Sequence, residues 1–176
     1  MKTMVKLLSI LCLGVIFTHH AWADTFEFPS LEVLDTIEEY VSDGSWDSGS
    51  SDLEIGYEKP GADNEKQQIV GLRFPGVTLP EDQPIVKAYI QFTQDEDKND
   101  SPFSATIWGQ AADNPVTFEE VDYTVSSRTK TNAAVSWTDV PEWMVTHEQG
   151  ENQQTADVTP IINEITSRPG WANGNA

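Results

Sequence analysis

Five stretches of the chain set apolar against polar residues with a period near two. In Asp52–Glu58, Leu53, Ile55 and Tyr57 alternate with Asp52, Glu54 and Glu58. Gln67–Phe74 and Ile85–Thr93 are rich in β-branched and aromatic residues, and in the second Val86, Ala88 and Ile90 fall on one face. Ser104–Ala111 and Ala133–Val140 are shorter versions of the same pattern. Each predicts a strand. Turn chemistry separates them at Lys59–Asn64, Pro75-Gly76, Leu79–Asp82 and Asp95–Pro102, and Asp43–Ser51 reads as one exposed Gly/Ser/Asp loop. A single helix is expected near the end. Thr159 serves as its N-cap and Pro160 as its first residue, Ile161, Ile162 and Ile165 form its apolar stripe, and Pro169-Gly170 stops it. Short strands with regular turns predict an all-β fold, a jelly-roll-like antiparallel β-sandwich with one short C-terminal helix.

The first 23 residues do not fit that pattern. Lys2 and Lys6 form a positive start, Leu7–Phe17 an apolar run, and Ala21-Trp22-Ala23 a small-x-small site before Asp24. This is the form of a secretory signal peptide over residues 1–23, cut after Ala23, and the run is too short for a membrane span. Leu11 precedes Cys12 where a lipoprotein signal needs a small residue, which argues against a lipid anchor. The expectation is a single exported domain, residues 24–176, secreted or periplasmic and not inserted in a membrane.

Removing the leader changes the chemistry available. The mature chain keeps no cysteine and only His147 of the three histidines, so disulfides are excluded and His- or Cys-based metal sites and nucleophile systems lose their material. It also keeps all 29 acidic residues against 8 basic ones, a net charge of −21. Such a surface repels phosphate backbones and anionic lipids, so nucleic acid is not an expected partner. No Gly-x-Ser-x-Gly or His-Glu-x-x-His motif is present. Two carboxylates could hydrolyse a glycoside, but in so acidic a chain a suitably spaced pair carries no information. The expectation is that the protein is not an enzyme.

An ordered set of short motifs spans residues 31–176: Asp35-Thr36-Ile37-Glu38-Glu39, Ser50–Ile55, Gln68–Phe74, Ala88–Phe92, Ser126–Thr131, Val135-Ser136-Trp137 and Arg168–Ala176. In this order they resemble the DNRLRE-type jelly-roll surface domains of exported bacterial proteins, grouped with carbohydrate-binding modules. Lys130 stands where that pattern has a second arginine, which removes a bidentate donor. In the family the Asn-Gly turn of the last motif leads into further strands. The resemblance therefore implies a domain truncated at its C-terminus, or one whose final strands come from another chain. It also implies a non-catalytic module that binds carbohydrate or serves in cell-surface adhesion, with a structural or assembly spacer as the alternative.

Two sets of residues are candidates for binding. Asp35, Glu38, Glu39, Asp52 and Glu54 offer the hard oxygens that calcium takes, six to eight at a time, and the resemblance implies a structural ion near the N-terminal strand. The same residues also read as a solvated acidic surface, and no EF-hand spacing is present. Trp46, in the expected loop, and Trp143, after Pro141-Glu142, are the candidate platforms on which a polysaccharide or cell-surface glycan could stack. Trp108, Trp137 and Trp171 fall in strand or helix-end patterns and are expected in the core. Arg73 interrupts an apolar strand and calls for a carboxylate partner from the acidic N-terminal run. Asp157 is expected to act in the turn before the helix.

Overall fold

Among the described residues every strand pairing is antiparallel. The computed structural model describes residues 12–19, 22–29, 33–48, 52–58, 66–80, 84–95 and 103–176. Among these the strands are β1 (Cys12–His19), β2 (Trp22–Pro29), β3 (Thr36–Tyr40), β4 (Trp46–Asp47), β5 (Tyr57–Glu58), β6 (Lys66–Leu72), β7 (Ile85–Gln91), β8 (Phe103–Gln110) and β9 (Lys130–Val140), followed by the helix α1 (Thr159–Thr166). They form three sheets in the orders β2-β1-β7, β4-β3-β6-β5 and β8-β9. The fold is mainly β, as the alternation predicts.

Four of the five expected strands stand, as β6 to β9. The fifth contracts to β5, and ahead of it Asp52, Leu53 and Glu54 are all buried rather than alternating. Four strands are additional to those the alternation predicts: β1 and β2, in and just after the expected leader, and β3 and β4. In β3 the consecutive residues Ile37, Glu38 and Glu39 are all buried, so this strand is covered on both faces and shows no alternation to read. Within the expected Asp43–Ser51 loop, Trp46 and Asp47 pair with Glu39 and Glu38 as β4. The turn at Lys59–Asn64, residues 81–82 and 96–102 of the next turns, and residues 1–11 of the expected leader lie outside the described residues. Residues 12–19 of that leader form β1, and the expected cut after Ala23 falls inside β2. Among the described residues no helix is long and apolar enough to cross a membrane.

Two apolar clusters form the interior. In the first, Phe92 stacks on Trp137 at 5.6 Å between ring centroids, Phe103 meets Trp137 edge-on at 5.2 Å, and Trp143 lies 6.4 Å from Trp137. Leu72 and Phe74, at the end of β6, pack against it. In the second, Ala88, Val158 and Ile161 gather Phe26, Phe28, Ile107 and Ile165, which seats α1 over β7 and β8. A side chain at Gly109 would place its Cβ 2.7 Å from both Ile161 and Ile165, so this position in β8 lets the helix lie flat on the strand.

The helix start differs from expectation by one residue. Val158, not Thr159, is the cap and offers no side-chain acceptor. Asp157 replaces it: its Oδ1 accepts the Thr159 N–H at 2.9 Å and the Thr159 hydroxyl at 2.6 Å. Past the helix the chain is stapled down. The Arg168 Nε donates to Asp113 at 2.6 Å, Asn173 exchanges bonds with the Leu79 backbone, and the Val77 N–H donates to the Asn175 carbonyl.

Candidate cation site

β3 and β6 pair with Glu38 opposite Val70 and Tyr40 opposite Gln68. Residues opposite each other share a face, as do residues two apart. Glu38, Tyr40, Gln68, Val70 and Leu72 therefore line one face, and β4 adds Asp47 directly across from Glu38. At one end of this face Leu72 joins the aromatic cluster. At the other end stand acids. The Glu54 N–H donates to Glu38 Oε1, which brings the buried segment carrying Asp52 and Glu54 against the same face.

Glu38 is 2% exposed. Burial pushes its carboxyl up to about 8, against the Glu54 N–H that favours its charged form, and the negative charges of Glu54, Asp52 and Asp47 push in the same direction as burial. Gln68 shares the face and is 7% exposed, and among the described residues neither its amide nitrogen nor its amide oxygen has a hydrogen-bond partner. A buried amide left unbonded costs about 1–3 kcal/mol. The nearby cation Lys66 lies with its Nζ 3.9 Å from the centroid of the Tyr40 ring. Among the described residues no group of three or more His, Cys, Asp or Glu side chains converges tightly enough to hold a metal ion by itself. An ion here would need mixed donors: the Glu38, Asp52 and Glu54 carboxylates, Asp47, the Gln68 amide oxygen, and backbone carbonyls or water.

The five expected ligands thus divide. Asp35 is fully buried and holds Arg73 Nη1 at 2.7 Å, while Arg73 Nε donates to the Pro115 carbonyl at 2.8 Å. This is the ion pair that Arg73 calls for in the sequence. Glu39 points to the other side of β3, where its Oε2 accepts the N–H groups of Val125 at 2.6 Å and Ser126 at 3.0 Å. Glu39 is held on the opposite side of β3 from Glu38, and Asp35 is engaged by Arg73 through its Oδ1, while its buried Oδ2 has no hydrogen-bond partner among the described residues. Strand alternation separates Glu38 from Glu39, and the fully buried Asp35 carboxylate is paired by the partly buried Arg73 guanidinium. Asp47 and Gln68 were not singled out in the sequence. Asp47 lies in a stretch that reads as a loop, and Gln68 is ordinary until the register places it on the Glu38 face, opposite Tyr40.

The tryptophans are also redistributed. Trp143 is 1% exposed, with its Nε1 donating to the Asn152 carbonyl at 3.0 Å, so its ring is core and offers no face to a sugar. That corrects its placement as an exposed platform. Trp46 is half-buried on β4 opposite Glu39. Trp137 is core as expected, but Trp108 stands on the outer face of β8 at 45% exposure with the Lys130 ammonium 4.3 Å from its ring centroid. His147 occupies an exposed turn with φ of 66°. No family model, no curated protein and no solved structure matches this chain.

Proposed function

We propose that the chain is a non-catalytic, exported β-sandwich module of the jelly-roll kind that serves as a structural or assembly unit, and that a calcium ion braces it at Glu38, Asp52 and Glu54. The observation that carries the ion is Gln68: a buried amide with no described partner, on the face where Glu38, Asp47 and the Asp52–Glu54 segment meet. When bound, the ion neutralises the clustered carboxylates and ties β3, β4 and β6 to the segment before β5. The structural role is supported by where the aromatic mass lies. Trp137 and Trp143 are spent on the interior.

A thermal melt tests the ion. Millimolar Ca²⁺ raises the midpoint over that in chelator, because a ligand specific to the folded state stabilises it, and Glu38→Gln or Gln68→Leu abolishes the rise. A midpoint unmoved by Ca²⁺ in the unmodified protein ends the proposal. Carbohydrate binding keeps a specific residue in Trp46. That second reading requires retention on a panel of polysaccharides, lost in Trp46→Ala with the melt unchanged; no retention leaves the structural role alone.

A further inference from the structure

The two edges of β7 are used differently. On one edge the segment 153–158 takes the backbone: Phe92 N–H donates to the Gln153 carbonyl at 2.9 Å, Thr155 N–H to the Ile90 carbonyl at 3.0 Å, and Val158 N–H to the Ala88 carbonyl at 2.8 Å. The Ala88 and Ile90 N–H groups go to the same side, to Asp157 Oδ1 at 3.2 Å and Thr155 Oγ1 at 3.0 Å. Backbone groups alternate sides along a strand, so Lys87, Tyr89 and Gln91 present theirs to the other edge. There they face Ile16, Gly14 and Cys12 of β1, in an antiparallel register that also sets Leu13 opposite Ile90 and Val15 opposite Ala88. Ala88 is fully buried and Ile90 packs on the aromatic cluster, so this edge borders the core.

Every residue of β1 lies on the leader side of the cut after Ala23. Its removal strips the edge of its described partner and leaves backbone groups next to an apolar interior, a template for strand addition. The remaining part of β2 is a poor replacement. β2 is antiparallel to β1, and β1 to β7, so β2 runs parallel to β7 and would have to reverse to pair as β1 does. We propose that the β7 edge at Lys87, Tyr89 and Gln91 is a strand-acceptor site, vacated when the leader is removed, that takes an antiparallel, alternately apolar segment from another polypeptide. This rests on the assembly role and the export proposed above, and it names the surface through which assembly proceeds.

The test uses protein recovered from the periplasm or medium and a synthetic peptide of residues 12–19 carrying Cys12→Ser. Intact mass first establishes whether residues 1–23 are gone. With the leader absent, the peptide binds and raises the melting midpoint by about 5 °C at a hundredfold excess over its Kd. A peptide N-methylated at Gly14 and Ile16, whose backbone faces β7, loses binding at least tenfold. One N-methylated at Leu13 and Val15 keeps it. Equal binding of the two methylated peptides means mere apolar adhesion and overturns the proposal. No binding by the parent peptide overturns it too, and is the result expected if residues 24–29 refill the edge. A mass that retains residues 12–19 refutes export processing and the vacated edge together, whereas a processed protein that binds nothing refutes the edge alone.

Discussion

One face of the β3–β6 pair carries two different solutions to burial. At the Leu72 end it meets Phe92, Trp137 and Trp143, side chains that need only to be packed. Toward the Gln68 end it carries Glu38, Asp47 and an amide with no hydrogen-bond partner among the described residues, polar groups that packing alone does not satisfy. Apolar contact is non-directional and indifferent to pH and ions, and its strength follows the area removed from water. Buried carboxylates are stable only as far as protons, cations or hydrogen bonds neutralise them. One part of this molecule's stability is therefore set by packing, and the acidic part responds to pH.

The sharpest way to break that division is Trp143→Ala. Truncating a fully buried tryptophan costs about 4 kcal/mol, and chemical denaturation should show the same loss in Ca²⁺ and in chelator. A loss that depends on Ca²⁺ would mean the two ends are coupled through the sheet. Next in size is Arg73→Met. It leaves the fully buried Asp35 without its ion pair and costs about 3 kcal/mol, while adding Asp35→Leu recovers much of that by removing the stranded charge. A single substitution that proved neutral would show that Asp35 does not depend on the guanidinium.

The acidic end has its own pH signature in chelator. Folded, Glu38 holds its proton up to about 8; its ordinary value is 4.5. Between those values the folded state binds more protons than the unfolded one, so stability is greatest below about 4.5, falls as pH rises and levels off past about 8. Each unit of displacement is worth at most ~1.4 kcal/mol. Subtracting the curve of Glu38→Gln isolates this contribution, and identical slopes for the two proteins would remove Glu38 as its source. The smallest effect lies far from both ends. Burial works to raise the Asp157 carboxyl, but its bonds from Thr159 and Ala88 outweigh it and hold the group below its ordinary value. Asp157→Ala should cost about 1 kcal/mol by urea titration, the size of a lost helix cap, with no dependence on Ca²⁺.

Strands whose one face is wet were legible in the sequence, since alternation is the imprint of half-burial. Ala133 to Val140 shows this along β9. β3 was not legible, because Ile37, Glu38 and Glu39 are all buried and two of them are charged. The acidic run was recognisable as potential oxygen donors, but not as two separate sets. Its division needed the register that sends Glu39 to the Val125 and Ser126 amides and Glu38 toward Gln68. The tryptophans misled for a related reason. A residue after Pro-Glu looks exposed, yet Trp143 is drawn into the core by contacts with Phe92 and Trp137, more than 5 residues away along the chain in each case.

What the sequence determined by itself was local: the antiparallel β character, the helix over Thr159–Thr166 and its stop, the acidic charge, and the carboxylate that Arg73 must find. Those follow from residue spacing and from the cost of burying an unpaired charge, which act over a few residues or at any distance alike. The tertiary structure alone decided which acids meet, which tryptophan is hidden and which edge of β7 borders the core. Each of these depends on strand register, and a shift of one residue would exchange every inward side chain for an outward one.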